Sequence, residues 1–241
     1  MEDIINKRLE RQISLVGKEG QEKLSNARIV IVGMGGLGSF LSLQLIYAGI
    51  KNIVLIDKDK VEISNLNRQI LYNYKDIGKT KVKVAVKKLK SFCDVNVIGY
   101  NIDITDNKNK RKLNEILSKA DIVADCLDNW EARKILNKLC LELNKPLVHA
   151  AVQSYKGQIM FIIPGKTPCL ECVFPKVKDK KENIPIIVQT VAFASSLQAN
   201  EIVKFIVEGK YSKELVRFDL VNYNIEKIKI KKRKNCICSV S

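Results

Sequence analysis

The sequence predicts an α/β fold: a doubly wound, mostly parallel sheet with a C-terminal extension of further strands and paired cysteines. Three observations carry this expectation. Between Arg28 and Val152, β-branched runs alternate with segments of helical periodicity, the pattern of parallel strands joined by crossover helices. The first run ends in a glycine cluster that opens a helix, Gly33-Met34-Gly35-Gly36-Leu37-Gly38. From residue 153 the texture changes to Pro-, Cys- and Lys-rich stretches, with no linker or internal repeat to mark off a second domain.

The elements follow in order. Residues 1–25 read as a helical arm, because Ile4, Ile5, Leu9 and Ile13 recur at spacings near four. Residues 28–32 form a buried strand and 37–48 its helix; 52–56 form a second strand, ending at Asp57. A helix over 79–92 leads to a strand at 95–99, and a helix over 110–119 to a strand at 121–124. A helix over 129–143 takes Asp128 as its N-cap and is followed by a strand at 146–152. A strand at 158–163 follows a glycine. Residues 164–175 hold three prolines and a C-x-x-C, and 176–183 read as a polar, mobile loop. A long apolar helix over 188–207 ends at Gly209, and strands near 214–221 and 225–232 close the chain.

Composition excludes several classes. With 46 % apolar and 28 % charged residues, the chain is an ordinary globular protein of 241 residues, long enough for one sizeable core. No apolar run reaches the length of a membrane span, and the charged start MEDIINKRLERQ has no signal-peptide core, so a cytoplasmic protein without membrane association is expected. The net charge of +16 admits nucleic acid, acidic lipid or an acidic protein. The basic residues are scattered, apart from 227–235, which alternates like an exposed strand. A solvated Lys-rich surface is the simplest reading, an acidic protein partner the next, and nucleic acid is disfavoured. Seven cysteines in such a chain point to metal or catalysis before disulfides. Cys169 and Cys172 form one pair and Cys236 and Cys238 another, while Cys93, Cys126 and Cys140 read as buried filler.

The glycine cluster fits G-x-G-x-x-G between a strand and a helix. Glycines at Gly33, Gly35, Gly36 and Gly38 permit a tight turn and close approach to phosphates, which the helix N-terminus then attracts. Asp57, after the second strand, suits a ribose hydroxyl pair. This much also describes a nicotinamide-dependent oxidoreductase. Arg68 and Lys81, downstream of Asp59 and Ser64, argue instead for a triphosphate and its leaving pyrophosphate. The segment Asp125-Cys126-Leu127-Asp128-Asn129 ends a parallel strand, where ligands bind in such sheets, and a carboxylate there can hold Mg²⁺. His149, the sole histidine, reads as a hydrogen-bonded core residue and Trp130 as buried.

The segments RLERQISLVGKEGQEKL, IVGMGGLGS, LIDKDKVEISNLNRQ, IGKTKV, DCLDN, YKGQI, PCLEC and SSLQANE resemble, in order, the MoeB/ThiF/HesA family, the small bacterial members of the ubiquitin-activating superfamily. The resemblance spans nearly the whole chain. It implies ATP-dependent adenylation of the C-terminal carboxylate of a small ubiquitin-like sulfur-carrier protein with a Gly-Gly tail. It implies one adenylation domain, with an arm (1–25), a nucleotide-binding core (26–152) and an extension bearing the Cys pairs and a carrier-facing loop (153–241). By resemblance Gly36 lies on the α-phosphate and Asp57 on the ribose. Asn65 and Arg68 contact phosphates, with Lys81 beside them and Asp59 and Ser64 in the same nucleotide set. Asp128 holds Mg²⁺ with Asn129 adjacent, and Arg11 reaches into the site of a second subunit, implying a homodimer.

The resemblance also implies structural zinc on Cys169, Cys172, Cys236 and Cys238. Here the second pair is C-x-C where the family has C-x-x-C. No cysteine stands in the loop before Ser196, where some members carry one that bonds the carrier. Adenylation without an enzyme thioester is therefore expected, with sulfur from a separate persulfide donor. The competing readings are a superfamily member acting on tRNA or a peptide, an oxidoreductase, and a non-catalytic scaffold.

Overall fold

A computed structural model describes residues 2–179 and 185–239. An N-terminal helix, α1 (Glu2–Asn26), is broken at Gly17, where φ is 75°. There follow β1 (Arg28–Val32), α2 (Gly36–Tyr47), β2 (Asn52–Ile56), α3 (Lys81–Phe92), β3 (Asn96–Tyr100), α4 (Lys110–Ser118), β4 (Ile122–Asp125), α5 (Trp130–Glu142) and β5 (Leu147–Gln153). The extension supplies β6 (Lys156–Ile162), a single turn α6 (Leu170–Val173), α7 (Val188–Glu208), β7 (Leu215–Asp219) and β8 (Asn224–Ile228).

The strands form one sheet in the order β3-β2-β1-β4-β5-β6-β7-β8. The first five pair in parallel, and β6, β7 and β8 add on antiparallel. Successive side chains of a strand face opposite ways, so each inner strand feeds two cores. Ile29, Ile31, Ile53, Leu55 and Phe161 pack with α2, α3 and α7 on one face. Val30, Val32, Val54, Ile56 and Ile162 pack with α4, α5 and the cysteine pairs on the other. This two-sided burial explains the near-continuous apolar runs of β1 and β2.

Several sequence expectations need correction. The N-cap of α5 is Asn129, whose Oδ1 accepts the Ala132 N–H at 2.9 Å; Asp128 stays free of that role. The strand expected near 225–232 stops at Ile228, because the chain then turns back to bring Cys236 and Cys238 against the second core. Trp130 is half-buried, its ring tilted at 52° against Phe174 with centroids 4.9 Å apart and 5.4 Å from the Arg133 guanidinium. Cys93 is part-exposed and faces Arg8 Nη1 at 3.2 Å. Of the loop expected over 176–183, residues 180–183 lie outside the described residues. Among the described residues, no helix is long and apolar enough to cross a membrane.

Candidate functional site

Strand order reverses at β1, with β2 on one side and β4 on the other, so the chain diverges above the carboxyl ends of β1 and β4. Gly33 enters this crevice with φ 96°, its N–H donating to the Ile56 carbonyl at 2.8 Å. A Cβ on Gly33 would stand 2.5 Å from the Cys126 carbonyl oxygen, and one on Gly38 would stand 2.0 Å from the Gly33 oxygen. The glycine cluster is therefore a steric requirement of the turn. A Cβ on Gly36 would meet Val191 of α7 at 2.8 Å and the Arg68 carbonyl at 3.5 Å, and one on Gly35 would meet Gln69 Nε2 at 3.6 Å. The segment from Ile63 to Gln69 thus folds back over the glycine loop.

Asp57 receives Met34 N–H at 2.6 Å and Asp59 N–H at 2.7 Å, and Tyr72 donates its hydroxyl to the Met34 carbonyl at 2.7 Å. The loop is fixed before any ligand arrives. Burial pushes the Asp57 carboxyl above its usual range, opposed by the nearby Lys81 ammonium. Lys81 is buried at the N-terminus of α3, where the helix dipole disfavours a cation, and pairs with Asp59 Oδ2 at 3.0 Å. Asn65 is buried; its Oδ1 accepts Glu62 N–H at 3.2 Å, and its Nδ2 donates to Ser64 Oγ at 3.4 Å. Arg68 rests on its own loop, donating to the Ser64 carbonyl at 2.9 Å and Asn67 Oδ1 at 2.8 Å. Asp128 is exposed above β4, and among the described residues it accepts only from Asn129 Nδ2, at 3.2 Å. It is a free oxygen donor of the kind Mg²⁺ takes alongside substrate phosphates. Arg11 lies exposed on α1, makes no hydrogen bond or ion pair among the described residues, and is not brought to these groups by any contact within the chain.

The turn carrying Asp128 is braced by residues whose part the sequence did not disclose. Asp125 Oδ1 accepts Leu127 N–H at 3.0 Å, while Arg133 Nη2 donates to the Leu127 carbonyl. His149 Nδ1 lies 2.7 Å from Asp125 Oδ2, and Gln158 Nε2 lies 3.2 Å from His149 Nε2. Gln198 of α7 donates to the Asp125 and Val148 carbonyls at 3.1 and 2.8 Å. Burial lowers the His149 pKa, so the neutral ring donates Nδ1–H to Asp125 and accepts from Gln158 at Nε2. Asp179 accepts from Trp130 N–H at 2.6 Å and Glu131 N–H at 3.2 Å, seating the extension on the first turn of α5. Of these residues Arg133 alone carried a sequence signal, standing four positions after Asn129 on one face of α5.

The four cysteines of the two pairs are buried, with their sulfurs all within 4.8 Å of one another. Cys169 Sγ is 3.5 Å from Cys236 Sγ, and Cys172 Sγ is 3.4 Å from Cys238 Sγ. A tetrahedron with Zn–S bonds of about 2.3 Å has S···S edges of about 3.8 Å, so the set fits zinc. The C-x-C spacing is accommodated because each of its cysteines meets a different member of the first pair.

A glycine-built turn where the strand order reverses, a carboxylate after the second strand and a buried four-cysteine knuckle define an α/β protein of Rossmann-like architecture. The chain belongs to the ThiF family, whose model matches residues 9–240. It is 33 % identical over 245 residues to the sulfur carrier protein adenylyltransferase of Thermus thermophilus, covering 95 % of this chain and 89 % of that protein. It is 35 % identical to SUMO-activating enzyme subunit 2 of Dictyostelium discoideum over 70 % of this chain, but spans only 25 % of that protein. The crystal structure of Escherichia coli MccB with AMPCPP and MccA superposes with a TM-score of 0.85 at 26 % identity, over 98 % of this chain and 74 % of that one.

Proposed function

We propose that this protein is an adenylyltransferase that uses ATP to activate the C-terminal carboxylate of a small ubiquitin-like sulfur carrier. One observation supports it most: the glycine turn, the Arg68 segment, Lys81 and the free carboxylate of Asp128 all belong to the carboxyl edge of one sheet. A carrier carboxylate oxygen bonds to the α-phosphorus as the bond to pyrophosphate breaks, leaving an acyl-adenylate. No side-chain nucleophile is required. Asp57 holds the ribose, the glycine turn cradles the α-phosphate, and Asn65, Arg68 and Lys81 offset the charge that gathers on the leaving group. Mg²⁺, held by Asp128, would supply a further positive charge at the phosphate oxygens. Arg11 would complete the site of a second subunit in a cytoplasmic homodimer. Zinc on Cys169, Cys172, Cys236 and Cys238 would staple the tail to the Pro-rich loop. The chain has no cysteine between Cys172 and Cys236, so sulfur would come from a separate persulfide donor.

A second reading, adenylation of a peptide, draws on the likeness to MccB solved with MccA and AMPCPP. ATP–pyrophosphate exchange with carrier proteins, peptides and tRNA in parallel separates the readings. Arg68→Ala and Asp128→Ala are each expected to lower exchange by about two orders of magnitude, roughly 3 kcal/mol of transition-state stabilisation. Undiminished exchange in either variant would overturn its assignment.

A further inference from the structure

Gln69 is 4 % exposed, yet its Oε1 has no hydrogen-bond partner among the described residues. Such an orphan is rare in a folded protein, because it forfeits the hydrogen bonds that water would supply. An amide left unpaired in this way is not kept for the sake of the fold. Its Nε2 faces the glycine turn, 3.6 Å from the place a Cβ on Gly35 would occupy. The side chain is held there by its own backbone. Gln69 N–H donates to the Asn65 carbonyl at 3.0 Å, and the Gln69 carbonyl accepts Tyr72 N–H at 3.1 Å. Tyr72 in turn binds the Met34 carbonyl.

Gly35 is also the N-cap of α2. No side chain caps that helix among the described residues, and no acidic residue stands in its first turn. The first N–H groups of a helix and its dipole attract an anion. A buried amide and an uncapped helix start therefore meet at one point. Turning about Cγ–Cδ exchanges the two ends of the amide, so its donor can meet an anion over Gly35 without moving the rest of the side chain.

We propose that Gln69 is a catalytic residue, its side-chain N–H donating to a non-bridging oxygen of the α-phosphate seated on the α2 N-terminus. This rests on the nucleotide reading above. Arg68 and Lys81 offset charge on the leaving pyrophosphate, whereas Gln69 touches the phosphorus that is attacked.

The test is calorimetric titration of the full chain with adenosine, AMP and ATP. Gln69→Met keeps length and removes the donor. It is expected to weaken AMP and ATP equally, each by about 10-fold, and to leave adenosine affinity unchanged. Its melting temperature without nucleotide should not fall, since no partner within the chain is lost. Gln69→Glu keeps the shape, sets a carboxylate against the phosphate and should weaken AMP further still; it serves if Gln69→Met does not fold. Unchanged AMP affinity in a folded variant would overturn the proposal. Equal loss for all three ligands would make Gln69 a wall of the crevice, and loss confined to ATP would place it on the leaving group; either overturns the α-phosphate contact. A wild type that binds none of the three overturns the nucleotide reading, and the proposal with it.

Discussion

The Cys126 carbonyl oxygen lies 2.5 Å from the place a Cβ on Gly33 would occupy. Both partners in that approach are backbone, one at the end of β1 and one at the end of β4, so neither yields by a rotamer change. Gly33 also holds φ at 96°, which an L side chain rarely adopts. Gly33→Ala is expected to add roughly 1–3 kcal/mol of backbone strain to the overlap itself. In thermal denaturation the midpoint should fall by about 5 °C or more, with ATP binding lost in parallel. A folded Gly33→Ala variant that binds ATP normally would show that the glycine turn does not carry the phosphates.

Arg133 bears on the site without touching its mouth. It is buried, donates to the Leu127 carbonyl, faces His149 and lies over the Trp130 ring. Arg133→Ala would leave the buried Asp125 carboxylate short of its positive partner, a loss of about 3–5 kcal/mol. Arg133→Lys keeps the charge but not the planar fork, and should fold while misplacing the Asp128 turn. In pyrophosphate exchange this variant should need more Mg²⁺ for half-maximal rate, with AMP affinity little changed. Equal loss of both would mean that Arg133 only supports the fold.

The buried pair beneath Asp128 has a definite pH signature. Burial holds His149 below its ordinary 6.5, only partly offset by Asp125. Burial also opposes ionisation of Asp125, but Arg133 and His149 outweigh it and keep that carboxyl below 3.8. Below pH 6.5 the unfolded chain takes up a proton that folded His149 refuses, so stability falls with acidification by up to about 1.4 kcal/mol per pH unit. Below pH 3.8 Asp125 adds a loss of the same sign. Asp57, raised by burial, works the other way above 3.8. His149 is the chain's sole histidine, so His149→Gln should flatten the urea-denaturation profile between pH 6.5 and 5. A profile of unchanged slope would refute the assignment of a neutral ring.

The sheet, its glycine turn and the cysteine pairs were legible in the sequence because each is local: a β-branched run, a helix start and a fixed spacing. The brace was not, since Asp125, His149, Gln158 and Gln198 come from four elements and meet only through the sheet order. Asp128 misled as an N-cap because Asn129 is an equally good capping residue one position on. The alternation of 227–235 also misled: Ile228 and Ile230 are partly buried against the second core, yet pairing with β7 stops at Ile228. Arg11 illustrates a different limit, because a residue assigned to another subunit's site has nothing within its own chain to confirm it.

Asp179 ties the extension to the nucleotide edge by a contact that charge alone explains. Its two carboxylate oxygens take the N–H groups of Trp130 and Glu131, donors left unpaired at the start of any helix, and the α5 dipole favours the negative charge there. The N–H groups stay accessible to water once the carboxylate is gone, so Asp179→Ala should destabilise the fold by only about 1 kcal/mol. Asp179→Asn keeps one acceptor but loses the charge, and should fall between. The functional effect should exceed the thermodynamic one, because the anchored segment lies against the residues that follow Asp128. In pyrophosphate exchange the KM for the carboxylate substrate is expected to rise several-fold, with kcat nearly constant, since Asp179 touches backbone and not phosphate. A fall in kcat at constant KM would place Asp179 in the chemistry instead and remove the case for an anchor.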